Sequence, residues 1–153
     1  MAEHLGGQAV GLAPEQQQVA RAVLHIGEDD VAAAGYDSPE LGAFAYQTCN
    51  RGLTEFLGAD ESTSMRTVLS WAWFRPSQQA WDEGARWYRC DVVGGGERTE
   101  SLVALPESAR GILEGRPDDR WMACVEGPSV SDAPRIPCNQ PHDWRAVTTI
   151  KLG

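Results

Sequence analysis

Four cysteines, Cys49, Cys90, Cys124 and Cys138, constrain this 153-residue chain more than any other feature, because no two of them stand at Cys-x-x-Cys spacing. A dithiol redox motif or a ribbon-type zinc site needs that spacing, so both are disfavoured. Three arrangements remain: two disulfides, a scattered structural zinc site that recruits His142, or free buried thiols. The 16 Gly and 9 Pro describe a small, turn-rich domain of the kind that gains most from covalent cross-links, which favours disulfides. Cys124 and Cys138 flank Gly127, Pro128 and Pro134, a segment able to turn the chain back on itself, which leaves Cys49 to pair with Cys90. On the chain-entropy view the shorter loop contributes about 3 kcal/mol and the longer about 4. Those figures are comparable with the whole stability of such a domain.

At ~100–200 residues per domain the length allows one domain, and one compact unit over residues 1–153 is expected. Hydrophobic residues at 42% and charged residues at 23% are ordinary globular usage, so the chain can bury a core. A net charge of -9 repels phosphate backbones and anionic lipid, so nucleic acid is not an expected partner. The charge is uneven: residues 1–62 carry ten acids against Arg21 and Arg51, whereas residues 63–153 carry twelve acids against eleven bases. The clusters Glu28-Asp29-Asp30 and Asp60-Glu61 lack ligand spacing and read as solvated loops rather than calcium sites. No window approaches the ~18 apolar residues of a membrane helix, so no span is expected. Met1 to Leu5 lacks the basic start and apolar run of a secretion signal. The chain as given is therefore expected to be cytoplasmic or the excised soluble part of a longer protein.

Along the chain, residues 8–13 read as a short strand, and residues 15–26 as either a helical turn or a loop entering a strand. Asp37-Ser38-Pro39-Glu40 is a helix start: a capping side chain, a proline whose missing N–H is harmless there, and an acid in the first turn. Leu41, Phe44, Ala45, Thr48, Cys49, Leu53, Phe56 and Leu57 follow largely on one face and Gly58 supplies the stop, so a helix is expected over 38–57 with Cys49 facing the core. Residues 67–75 are β-branched and aromatic, as a strand requires. Residues 77–84 give a short helix closed by glycine. Residues 86–93 form a second strand, in which alternation puts Trp87, Arg89 and Asp91 on one face and Tyr88, Cys90 and Val92 on the other. Gly94–Gly96 is a turn lacking the Lys-Ser or Lys-Thr of a phosphate loop, and 101–105 is the strand returning from it. A short helix at 106–113, a strand at 121–125 and a cleanly alternating strand at 145–152 complete the pattern. The expected fold is α+β, a mainly antiparallel sheet with one long helix packed on it and two disulfides.

Residues 136–143, Ile-Pro-Cys-Asn-Gln-Pro-His-Asp, followed by Ala146 and Val147, resemble the septum-formation family of actinobacterial cell-envelope proteins. Asp119-Arg120-Trp121 leading to Cys124 is similar to the family's first cysteine-bearing strand, and Pro137-Cys138 to His142 to its Val-Pro-Cys-x-x-Pro-His segment. Cys49 in a helix and Cys90 in the strand after residues 77–84 match the remaining pieces. The resemblance implies a secreted or membrane-anchored, disulfide-bonded module outside the cytoplasm, with any anchor removed from this chain. It implies no catalytic residues and no cofactor, and a partner that is a protein or a cell-wall component. His4 with Gln8 to Val10 resembles the tail of an earlier Cys-x-x-x-His motif. A tandem arrangement, with one module over 4–105 and 119–153 starting a second or completing a permuted fold, is thus the alternative to a single unit. Twelve Arg against the single Lys151 are consistent with a high-GC genome.

His142 is the side chain most open to chemistry, lying beside a proline and before Asp143. A Cys138–His142 nucleophilic pair needs a free thiolate and an orienting third group. A His142-Asp143 metal dipeptide needs further ligands. No orienting group or further ligand stands out in the sequence, so the expected role of His142 is to fix a turn. Trp71 and Trp73 on one strand face could form a platform for a sugar or peptide; packing of Trp71, Trp73, Trp81 and Trp87 around the Cys49–Cys90 bridge is the expected alternative. The leading expectation is a noncatalytic extracytoplasmic binding or scaffold module. A small hydrolase using His142 and a zinc-stabilised cytoplasmic domain are the other two readings.

Overall fold

The computed structural model describes residues 21–22, 34–95, 98–99, 102–150 and 152. The strand expected at 8–13, the helical turn at 15–26 apart from Arg21 and Ala22, His4, and the acid cluster at 28–30 lie outside the described residues. The local signals at 37–40 act as expected. Helix α1 (Pro39–Leu57) begins with the Ser38 hydroxyl accepting from Leu41 N at 3.2 Å and ends at Gly58, whose φ of 70° is the left-handed conformation that glycine adopts without a Cβ clash. Leu41, Ala45, Cys49, Leu53 and Leu57 recur every four residues and are all buried, so a single stripe of the helix meets the core. Each fully buried leucine contributes about 1.5–3 kcal/mol by leaving water. A short helix α2 (Glu61–Met65) follows, capped by Asp60, whose carboxylate accepts from Thr63 N at 2.6 Å. That hydrogen bond is the main reason the Asp60 carboxyl titrates below its ordinary value.

The strands form two small sheets. In the first, β1 (Arg21–Ala22), β2 (Ser70–Phe74) and β3 (Arg89–Val93) lie in the order β1-β3-β2, all antiparallel. Helix α3 (Gln78–Asp82), capped by the Ser77 hydroxyl, connects β2 to β3. Register places Trp71 opposite Val92 and Trp73 opposite Cys90, so one face of the sheet turns these rings and Cys90 toward α1. In the second sheet, β4 (Ala123–Val125) is central between β5 (Ile136–Pro137) and β6 (Trp144–Arg145), again antiparallel. A 3₁₀ turn, Asp119–Trp121, leads into β4. The two sheets are joined at Thr67, which bridges to Met122, with Val68 N donating to Trp121 O at 3.0 Å and Ala123 N to Arg66 O at 2.7 Å. The core lies where these pieces meet: Leu53, Leu57, Leu69, Val92, Ala109, Leu113, Trp121, Met122, Cys124 and Cys138 form one buried cluster.

The expectation of helices with antiparallel strands and two disulfides holds in its main lines, but a mainly-sheet domain does not describe the molecule. The nineteen residues of α1 dwarf every strand, and the strands divide between two sheets. Three local expectations are corrected. Residues 106–113 form no helix, because two of the N–H groups a helix would need are spent on α1: Gly111 N donates to Phe56 O at 3.0 Å and Leu113 N to Leu57 O at 2.9 Å. They form a strap over the C-terminal end of α1, satisfying carbonyls that a helix leaves without partners. Described residues 102–105 make no strand; Val103 N donates to Gly94 O at 2.6 Å, and the approach is so close that a Cβ on Gly94 would meet the Val103 carbonyl oxygen at 1.9 Å. The alternating segment at 145–152 joins the sheet only through Trp144 and Arg145, because β4 presents only Cys124 and Val125 to that edge. Beyond it Val147, Ile150 and Leu152 are 75%, 82% and 88% exposed.

Candidate functional site

Both disulfides are formed. Cys49 of α1 bonds Cys90 of β3 across a Cα separation of 5.5 Å, and Cys124 of β4 bonds Cys138 just past β5 across 4.9 Å. The first ties the long helix to its sheet and the second closes the segment ahead of the Pro-His turn. All four sulfurs are consumed, so neither a zinc thiolate site with His142 nor a Cys138 nucleophile exists in this form of the chain. Among the described residues no three His, Cys, Asp or Glu side chains are gathered so as to hold a metal ion.

Around the first disulfide, Cys49, Tyr88 and Cys90 are buried and Phe44, Trp71 and Trp73 pack against them. Tyr88 meets Phe44 edge-to-face with ring centres 5.4 Å apart, a geometry the ring quadrupoles favour. Burial pushes the Tyr88 phenol above its ordinary value, with a hydrogen bond to Thr48 and the charge of Arg51 opposing. Trp71 and Trp73 share the sheet face toward α1 and are partly buried, with Tyr46 edge-on to Trp71 at 5.9 Å. Trp87 lies before β3 and is 49% exposed, apart from that pair. A cavity of about 10 Å³ beside the disulfide holds a water at most. On the opposite face of β3, Asp91 is only 3% exposed and its Oδ2 pairs with Arg89 at 2.7 Å. A buried carboxylate needs such a partner, and the Arg89 guanidinium also stacks over Phe74 at 4.7 Å.

The Pro-His turn assembles differently. His142 is exposed, and its Nδ1 lies 2.7 Å from Gln140 O. Asp143 accepts from Gly127 N at 2.8 Å through its carboxylate, while its own N–H donates to Val125 O at 3.0 Å. Trp144 donates its indole N–H to Gly127 O at 2.8 Å. Adjacent residues therefore hold separate backbone partners, and together they hold Gly127, at the start of the 127–134 segment, beside β4 and β6. Arg145 is paired with Asp119 at 2.6 Å, and that hydrogen bond is the largest reason the Asp119 carboxyl lies below its usual range.

Beside this clamp is a groove of about 380 Å³, floored by β4 and rimmed by Val130, Trp144, Arg98, Arg135 and Arg145. Its arginines carry no motif in the sequence, because they come from a loop and from the ends of separate strands. The one legible trace is the near balance of bases and acids in residues 63–153 against the acidic front of the chain.

The fold and its cross-links define a small disulfide-bridged α+β module. The family model described as Septum formation matches residues 22–153, and the chain belongs to that family. No curated protein and no solved structure matches it. Among the described residues no helix is long and apolar enough to cross a membrane.

Proposed function

We propose that this chain is a noncatalytic binding or scaffold module working outside the cytoplasm, in the cell envelope of an actinobacterium, as one unit rather than a tandem pair. The observation that carries the reading is the bonding of all four cysteines: disulfides persist in oxidising compartments and are rare in reducing ones. Membership of the septum-formation family and the excess of Arg over Lys support the setting. His142 and Asp143 serve as turn-fixing groups in this reading, and the partly buried Trp71 and Trp73 serve as packing around the helix-to-sheet cross-link. Trp87, half exposed, belongs to the rim.

Alkylation of natively purified protein, read by intact mass before and after reduction, tests this. No alkyl groups are expected before reduction and four after it. Uptake by the unreduced protein would place the chain in a reducing compartment and end the extracytoplasmic reading.

A further inference from the structure

The groove over β4 combines two features that a solvated surface does not need. Three arginines line one space of about 380 Å³, on a chain whose net charge is -9. Among the described residues one of the three is in an ion pair. Arg145 is paired with Asp119, but Arg98 spends its donors on the carbonyls of Val130, Ser131 and Ala133 at 3.1, 2.9 and 3.1 Å. Those neutral oxygens fix the loop wall and leave the positive charge in place. Among the described residues Arg135 joins no ion pair; its backbone is held by a bridge to Thr99, with its N–H donating to Arg98 O.

The remaining walls are apolar. Val130 is about half exposed, as is Trp144, whose N–H is already taken by Gly127, so the indole offers the groove only its ring. Among the described residues no Asp, Glu, Asn or Gln side chain lines the space, so the described walls offer sugar hydroxyls none of the carboxylate or amide acceptors they use. A planar guanidinium suits a carboxylate held bidentately, and the volume lies within the range of small-ligand sites. We infer that this groove binds a peptide segment bearing a carboxylate next to an apolar side chain, with the carboxylate on Arg135 and the apolar group against Trp144 and Val130. The inference rests on the binding-module reading and names its partner class.

The test uses the oxidised full chain and N-acetyl-Ala-Ala-Leu with a free C-terminal carboxylate, against the same tripeptide as its carboxamide. Titration calorimetry and the indole N–H resonance of Trp144 are the readouts. The acid is expected to bind and to shift that resonance, and the amide to bind about tenfold more weakly, as loss of a charge-assisted hydrogen bond implies. Arg135→Gln should bring the acid down to the amide's affinity while circular dichroism stays unchanged; Arg110→Gln, replacing a side chain that lies over Phe56 and does not line the groove, should leave binding intact. Equal affinity for acid and amide, no binding of either at low millimolar concentration, or no effect of Arg135→Gln overturns the inference. So does inorganic phosphate or glucuronate shifting Trp144 as strongly as the peptide. A peptide failure with all four cysteines refractory to alkylation removes this inference alone, whereas free thiols remove the extracytoplasmic reading whatever the peptide does.

Discussion

Tyr88 shows how one side chain couples burial to chemistry. Its ring packs beside the Cys49–Cys90 bond, and desolvation is the chief reason its phenol resists ionisation. The neutral form is the one the fold prefers, so the Tyr88 contribution is fully present below the ordinary tyrosine value of ~10. It is lost as pH rises through the raised folded value. Spectrophotometric titration should therefore show a phenol ionising above the usual range, with a loss of stability over the same interval. Tyr88→Phe should abolish that step; its persistence in the variant would assign it elsewhere. Asp91 teaches the opposite lesson. Alternation places it across the sheet from Cys90, but only the tertiary structure buries it and pairs it with Arg89, because period-2 patterning reports which face a residue occupies and not what covers that face.

Among the elements, α1 was the most legible because its signals are local. Ser38, Pro39 and Glu40 open it, a spacing of four carries the apolar stripe, and Gly58 closes it. The strap over its end was not legible, since whether residues 106–113 bond themselves or another segment depends on where Phe56 and Leu57 present their carbonyls. Leu113 is 2% exposed and lies in the main cluster with Leu57 and Trp121. Leu113→Ala should cost about 2–5 kcal/mol through lost transfer energy and the cavity left behind, measured as a lower urea midpoint at unchanged slope. A shift below about 0.5 kcal/mol, the range of an ordinary surface substitution, would mean that the strap does not belong to the cooperative core. The strand expected at 145–152 failed for a related reason. Its alternation was real, but β4 supplies partners for two residues only, and a strand without a partner forms no ladder.

At the scale of the molecule, the two disulfides close loops with sequence separations of 41 and 14. The chain-entropy estimates of about 4 and 3 kcal/mol rival the ~5–15 kcal/mol of a typical domain. Reduction without denaturant should thus abolish most of the near-ultraviolet circular dichroism from the tryptophans packed near Cys49–Cys90, and should lower the melting temperature. A reduced chain with an unchanged spectrum would show that packing alone holds the fold. The candidate groove also belongs to this scale, because its walls come from the 127–134 segment, β4 and β6, and no short stretch of sequence contains it.

From the amino-acid order alone came the long helix, the strand cores at 70–74 and 89–93, the cysteine pairings and the family resemblance, since the elements follow from neighbours within a few turns, the pairings from the turn-forming segment between Cys124 and Cys138 with the other two cysteines left over, and the family from the motif at 136–143. Folding in three dimensions decided which N–H groups found which carbonyls, that an apparent helix became a strap and an apparent strand mostly an exposed segment, and that Arg98, Arg135 and Arg145 came to line one groove. Those outcomes depend on contacts between segments far apart in the chain, and local pattern carries no record of a distant partner.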